Sequence, residues 1–408
     1  MSNQILTISE ITRESLRVLE NELAFTKGVN RQYDDKFAVE GAKIGDTINI
    51  RLPARYVGRT GQVINIEDQT ETSIPLQLNT QRGVDLAFTS KDRKLSLDDF
   101  SERVLKPALA NIGNGIDRDG LIMAANSVYN AVGTPGVTPN TAFTFLSAGA
   151  KLDFEAAPKE GRTVIMDPLC EASMVDALKG LFQDSGDIAK QYRKGRLGMA
   201  LGYDWTMDQN IQQHTIGALG GTPTMSTLAN QTGSSILTTG WTATTGAVAA
   251  GDIFTIAGVY AVNPQSRQST NQLRQFLVTA AATANGSGNM TINIFPAIVP
   301  PISTTISAQY QNVSAAPAGS AAITILGSAA ANATCNMVYH KDSFVLGCAD
   351  LPLPDGVDLA ARARSKKTGL SIRVVSAYDI TNDRFITRLD VLYGWAPLYP
   401  QLACGVKG

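Results

Sequence analysis

Apolar and polar residues alternate in four runs near the start of the chain: Ile48, Ile50, Leu52; Val63 to Ile66; Ile74, Leu76, Leu78; and Val84, Leu86, Phe88. A period of two places the apolar set on one face, so each run predicts a strand. Between them lie Pro53, Gly58, Gly61 and the polar stretch EDQTETS. Together they predict a long two-stranded excursion with a charged tip. A lone hairpin is marginal in water, so this one needs a neighbour to lie on.

The period changes on either side. Thr7 and Glu10 stand at capping-box spacing, and Ile8, Ile11, Ser15, Leu19 and Leu23 follow one helical face, predicting an amphipathic helix over 8–25 that Gly28 and Asn30 end. Ser96 with Asp99 opens a second helix, in which Phe100, Val104, Ala108 and Ile112 recur every four residues and run on to Met123 and Tyr129. Pro107, Gly113 and Gly115 fall inside it and predict a kink or a split. A helix from Phe145 to Glu155 and a buried strand from Arg162 to Met166 come next. Asp167 as cap and Pro168 at the first helical position then start a helix to about Leu178.

From Thr215 to Tyr339 the pattern becomes short and β-like, with strands expected at Ile253 to Ala257, Phe276 to Val278, Met290 to Phe295 and Ile323 to Leu326. Only Asp252, Arg267 and Arg274 are charged there, although charged residues make up 17% of the chain. The contrast marks an inserted module. Charge returns at His340-Lys341-Asp342, and alternating runs at Ile372 to Val375 and Phe385 to Trp395 predict strands that close a sheet. The domain before the insert is thus completed only after it.

A chain of 408 residues exceeds what one core usually holds, so two or three folding units are expected. Lys plus Arg number 35 against 36 Asp plus Glu, which leaves no global basic field for nucleic acid and favours protein surfaces as partners. Cys170, Cys335, Cys348 and Cys404 are scattered, without zinc spacing, and read as reduced, mostly buried thiols. The N-terminus has neither a basic n-region nor an unbroken apolar run, and no segment is apolar enough to span a membrane. Folding in a reducing cytoplasm is expected, with no membrane partner, no metal and no cofactor.

No phosphate loop, nucleophile elbow, dinucleotide turn or HExxH motif occurs. His214 and His340 therefore read as structural. Paired carboxylates at Asp98-Asp99, Asp34-Asp35 and Asp117 with Asp119 have the composition for acid/base or metal work. The first pair suits a helix first turn and the second a polar linker. Basic clusters stand at Arg51, Arg55 and Arg59, at Arg193, Lys194 and Arg196, and at Arg362, Arg364, Lys366 and Lys367; each is either a solvated face or a contact for phosphate or carboxylate. With Glu67, Asp68 and Glu71 near the other limb, the excursion has the charges to pair with an adjacent copy.

Several long segments carry a resemblance: QRGVDLAFTSKDRKLSLDDFSERVLKPALA from Gln81, SKKTGLSIRVVSAYDITNDRFITRLDVLYGW from Ser365, KIGDTINIRLPARYVGR from Lys43, GYDWTMDQNIQQHTIG from Gly202 and NMVYHKDSFVLGCADLPLP from Asn336. They are similar to the major coat proteins of short-tailed bacteriophages and cover most of the chain outside the insert. The resemblance implies an α+β chain with the Hong Kong 97-type capsid fold and an inserted all-β barrel. The N-terminal arm would be 1–37, the E-loop 38–90 and the peripheral domain with its spine helix 91–160. The first part of the axial domain would be 161–214, the barrel 215–336 and the closing part 337–408.

It also implies function: a structural protein and not an enzyme, forming pentamers and hexamers of an icosahedral head around packaged double-stranded DNA that it does not read. Scaffolding and portal proteins would be partners, with assembly in the host cytoplasm and the virion as destination. Arg51, Arg55, Arg59, Glu67 and Asp68 are the expected inter-subunit contacts of the E-loop, and Glu10, Glu14, Glu20 and Glu22 an acidic surface for a basic scaffolding segment. The poverty of charge in the insert argues against ionic contacts between capsomers through it. The Thr, Asn and Gly content of the insert suggests an alternative, a secreted or tail-associated β-rich adhesin, which the absent secretion signal and helical first half disfavour. A hydrolase using His214 or His340 is the third reading.

Overall fold

The structure is a computed structural model that describes residues 23–31, 47–58, 61–64, 66, 71–89, 106–178, 198–301, 308–365 and 369–408. These fall into two units, one drawn from Met1–Ile50, Ser73–Gly120 and Phe344–Leu398, the other from Arg51–Thr72, Leu121–Ser343 and Tyr399–Gly408.

In the first unit, β1 (Thr47–Arg51) pairs with β2 (Ser73–Gln77) as the alternation predicts, with Ile48, Ile50 and Leu76 buried. The expected strand at Val63 to Ile66 does not form. Gly58 and Gly61 turn the chain with φ of +79° and +106°, and Val63, Ile64 and Ile66 are 85%, 76% and 86% exposed. Alternation makes a strand only where one face is covered, and here none is. β3 (Thr80–Thr89) pairs with β21 (Arg384–Pro397) from Thr80↔Tyr393 to Thr89↔Arg384. On the other edge of β21, β20 (Ser371–Asp379) pairs along Arg384 to Asp390 and β18 (Phe344–Ala349) along Leu392 to Pro397, and β20 carries β19 (Leu359–Arg364).

Two expectations for helices change. Residues 8–22 lie outside the described residues, but Leu23 to Phe25 are not helical, and Thr26–Gly28 is a single 3-10 turn. The reason is chemical: the amides of Ala24, Phe25 and Thr26 donate to the Asp117 carboxylate at 2.6, 3.0 and 3.0 Å instead of to an earlier helical turn. Ser96, Asp99, Phe100 and Val104 also lie outside the described residues. From Lys106 to Ala125 the chain is one α-helix, α1, which passes through Gly113 and Gly115 without splitting and stops before Tyr129. Its glycines serve packing. A Cβ at Gly115 would collide with Arg82, and one at Gly120 would stand 2.7 Å from the Trp395 ring and 2.9 Å from Phe25.

The second unit holds two sheets that matter here. One, of seven strands among the described residues, runs β4 (Ala131–Gly133), β22 (Ala403–Lys407), β17 (Asn332–His340), β5 (Arg162–Met166), β7 (Tyr203–Met207), β6 (Met199–Ala200), with β8 (Gln213–Thr215) on the start of β17. The helices α2 (Ala142–Phe154) and α3 (Pro168–Leu178) pack on it through Phe145, Leu152, Cys170 and Met174, with the rings of Phe145 and Trp205 4.9 Å apart. As the sequence predicts, Asp167 caps α3, its Oδ2 accepting from the amides of Leu169 and Cys170 at 3.2 and 3.4 Å.

The other sheet is the insert. Its order is β16 (Ile323–Ile325), β12 (Ile253–Val262), β13 (Ser269–Val278), β15 (Met290–Ile298), β10 (Gly233–Trp241), β9 (Gly221–Met225), and β11 (Ala247–Val248) with β14 (Ala282–Thr283) forms a small ladder beside it. The ends nearly meet: Thr224 bridges Ala322, and the amide of Met225 donates to the carbonyl of Ala321 at 2.8 Å. The result is a nearly closed barrel, whose interior is filled by Met225, Ile236, Trp241, Phe254, Phe276, Ile292 and their neighbours. Closure removes the sheet edges that would otherwise invite pairing.

Candidate assembly surfaces

The root of the insert is where its few charges are spent. Arg274 on β13 pairs with Glu155, just past α2, and its guanidinium lies 4.6 Å from the centroid of the Tyr129 ring. Burial drives the Tyr129 hydroxyl well above the ordinary tyrosine range, with Glu155 adding to the shift. Next to it, Gln275 uses both ends of its amide on Ala131, accepting from the amide and donating to the carbonyl at 2.9 Å each, and its oxygen also accepts from Lys151 Nζ at 2.5 Å. Asn263 Nδ2 donates to the carbonyl of Phe154 at 2.9 Å.

Asp252 forms a second fastening. Its buried Oδ1 is 2.7 Å from His214 Nε2 on β8, while Oδ2 accepts from the amides of Ala249 and Gly217 at 2.7 and 3.2 Å. The third charge, Arg267, donates to the carbonyls of Gln309 and Gln311 within the insert. All three ions of the insert therefore act inside the subunit. Sequence reasoning singled out their scarcity but not their places; in a stretch so poor in charge, each retained ion is itself the signal.

The excursion presents the opposite character. Arg51 is exposed and 3.6 Å from Glu71. Arg55 is half-buried with its guanidinium 5.6 Å from the ring centroid of Tyr310 in the same chain. Tyr56 and Val57 are exposed, as are Val63, Ile64 and Ile66. Arg59, Glu67 and Asp68 lie outside the described residues, as do Glu10, Glu14, Glu20 and Glu22.

The other candidates separate. Asp117 binds the amides of residues 24–26 and the Thr26 hydroxyl, whereas Asp119 binds Arg82 at 3.0 Å and the Tyr393 hydroxyl at 2.5 Å. The two carboxylates are anchors and share no site. His340 is buried, which holds its ring below the ordinary histidine value despite Asp342 at 3.6 Å. Arg362 and Arg364 both reach Asp350, at 3.4 and 3.9 Å. Asp34-Asp35, Asp98-Asp99, Arg193, Lys194, Arg196, Lys366 and Lys367 lie outside the described residues. All four cysteines are free and buried, and burial pushes the Cys170 and Cys404 thiols up to about 12. Among the described residues no group of three His, Cys, Asp or Glu is placed to hold a metal, and no helix is long and apolar enough to cross a membrane.

Comparison with known families settles what this architecture is. The model of the "P22 coat protein - gene protein 5" family matches residues 2–408. The chain belongs to the P22 coat protein family. It is accordingly the coat protein of a tailed phage, a structural component of the virion that builds an icosahedral shell from copies of itself, and not an enzyme. Its fold is the Hong Kong 97-like capsid fold with an inserted, nearly closed β-barrel, an α+β chain as the resemblance implied.

Similar solved structures include one from Mycobacterium phage Che8, at 12% identity and a TM-score of 0.45, covering 94% of this chain and 90% of that one. The mature capsid of bacteriophage PhiM1 shares 12% identity, with a TM-score of 0.42 and coverage of 93% and 87%. The CUS-3 coat protein I-domain is 30% identical over 28% of this chain and 94% of its own, with a TM-score of 0.18. No curated protein matches the chain.

Proposed function

We propose that the shell is built from pentamers and hexamers in which the excursion of one copy lies across its neighbour. The observation that carries this reading is the exposure of Val63, Ile64 and Ile66 on a segment that forms no strand of its own. Covering three such side chains is worth about 5 kcal/mol, and a shell repeats the contact in every copy. Obligate interfaces recover stability in this way. Arg51, Arg55 and Arg59, with Glu67 and Asp68, set the register by meeting complementary charge on the adjacent copy.

The finer partners follow from the same reading. Glu10, Glu14, Glu20 and Glu22 receive a basic scaffolding segment, a portal protein occupies one vertex, and the precursor shell expands as DNA enters. A net charge of −1 fits a wall that encloses DNA without reading its bases. The insert acts by folding and packing within its own subunit.

The test is the triple variant Val63→Ser, Ile64→Ser, Ile66→Ser, expressed with scaffolding protein and viewed by negative-stain microscopy. Closed shells are expected from the wild type. Folded but unassembled subunits are expected from the variant; normal shells from it would refute the contact.

A further inference from the structure

We propose that Cys335 and Lys407 are a modification site, at which dioxygen installs a covalent sulfur–oxygen–nitrogen bridge. The two residues are register partners in the antiparallel ladder of β17 and β22, and Lys407 Nζ stands 3.1 Å from Cys335 Sγ. Both are buried, and Cys335 carries a free thiol. A lysine in a protein interior ordinarily faces a carboxylate. Among the described residues Lys407 forms no ion pair, and the acceptor its ammonium meets is the sulfur, a weak partner. That placement offers little as a salt bridge and much as a pair of reactants already in contact.

Lys407 also lines a small cavity with Pro135, His214, Asp252 and Ala333, at the lower limit for a single water, so dioxygen reaches the pair as the surrounding strands breathe. A virion leaves the reducing interior of its host and meets dissolved oxygen, where thiol oxidation persists. The step balances with one dioxygen. The S–H bond of Cys335, one N–H bond of Lys407 and the O–O bond break. S–O and O–N bonds form, and the second oxygen leaves with both hydrogens as water. Sulfur and nitrogen each give up two electrons, and dioxygen takes four. The product ties β22 to β17 across 72 positions of sequence.

The bridge lies within one subunit, so it is tested on the purified full-length chain whether or not shells form. Aerated protein is compared with protein kept under dithiothreitol by intact mass and by iodoacetamide labelling in denaturant. The expected result is a gain of about 14 Da, one oxygen in and two hydrogens out, that reductant reverses. Cys335 is then blocked until reduced, and the peptides bearing Cys335 and Lys407 are joined. Lys407→Arg should abolish the gain and leave Cys335 fully labelled. The proposal fails if aerated wild type keeps its mass and labels completely. It fails equally if Cys335 takes up oxygen to the same extent in Lys407→Arg, which is ordinary oxidation of the sulfur alone.

Discussion

Arg274 and Glu155 form an ion pair whose side chains are 4% and 10% exposed, although they lie 119 positions apart in sequence. One is on the barrel and the other just past a helix of the seven-stranded sheet. Charges so deeply placed hold position rather than add much net stability, because desolvation offsets most of their attraction.

Removing one partner is therefore the informative experiment. Arg274→Met leaves the Glu155 carboxylate buried without its ion, and about 3 to 5 kcal/mol of subunit stability should be lost. Adding Glu155→Leu should restore most of it. Urea unfolding of the two variants checks this, and a double variant no better than the single would show that the tie is not a charge pair.

Gly120→Ala should destabilise the subunit even though alanine favours helix by about 1 kcal/mol over glycine. The new methyl would stand 2.7 Å from Trp395 and 2.9 Å from Phe25, and overpacking of this kind costs about 1 to 3 kcal/mol. A melting temperature below that of the wild type is the expected reading.

Asp117→Ala should loosen the segment around Phe25. The carboxylate accepts four hydrogen bonds there, three from backbone amides and one from the Thr26 hydroxyl, and charge-assisted bonds are the stronger kind. Limited proteolysis should cut near residues 23–28 at least tenfold faster, matching a loss of about 1.4 kcal/mol or more. Unchanged cleavage would count against the anchor.

Asp390 should govern acid stability. Burial opposes its charge, but hydrogen bonds from Arg373 at 2.7 Å and Arg388 at 2.8 Å outweigh burial and hold the carboxyl below the usual range. A depressed value in the folded state stabilises above the unfolded value of about 3.9 and is lost as pH falls through the folded one. Asp390→Asn should melt lower than wild type at neutral pH, with the gap narrowing as pH drops below about 4. A gap independent of pH would exclude this role.

How far the chain could be read in advance depended on where each burial pattern came from. β5 spans the buried run from Arg162 to Met166, and α3 starts at Pro168 as the Asp167-Pro168 start signal puts it, because local rules decide them. β9 and β10 were invisible for a physical reason. They are rich in Gly, Ser and Thr, and the inward Thr238 is satisfied by donating to the carbonyl of Met290 at 2.8 Å while accepting from Trp241 Nε1 at 2.8 Å. A polar residue in a core breaks the apolar period.

The glycines of α1 misled in the opposite sense. Read locally they weaken a helix, yet Gly115 and Gly120 make room for Arg82 and Trp395, which only tertiary contacts reveal. The roles of Asp252, Arg274 and Gln275 were likewise hidden, since their partners lie on distant strands and helices.

The order of strands in the seven-stranded sheet bears on biosynthesis. β17 and β22, which join β5 to β4, are the seventeenth and last strands of the described chain, whereas the last strand of the barrel, β16, already ends at Ile325. On the ribosome the barrel can close while its host sheet still lacks its middle. The unfinished edge of β5 waits through that interval, and pairing across such distances is slow. A nascent subunit is thus most vulnerable to aggregation late in translation, and codons or chaperones that act on its final third should matter more than those that act on its first.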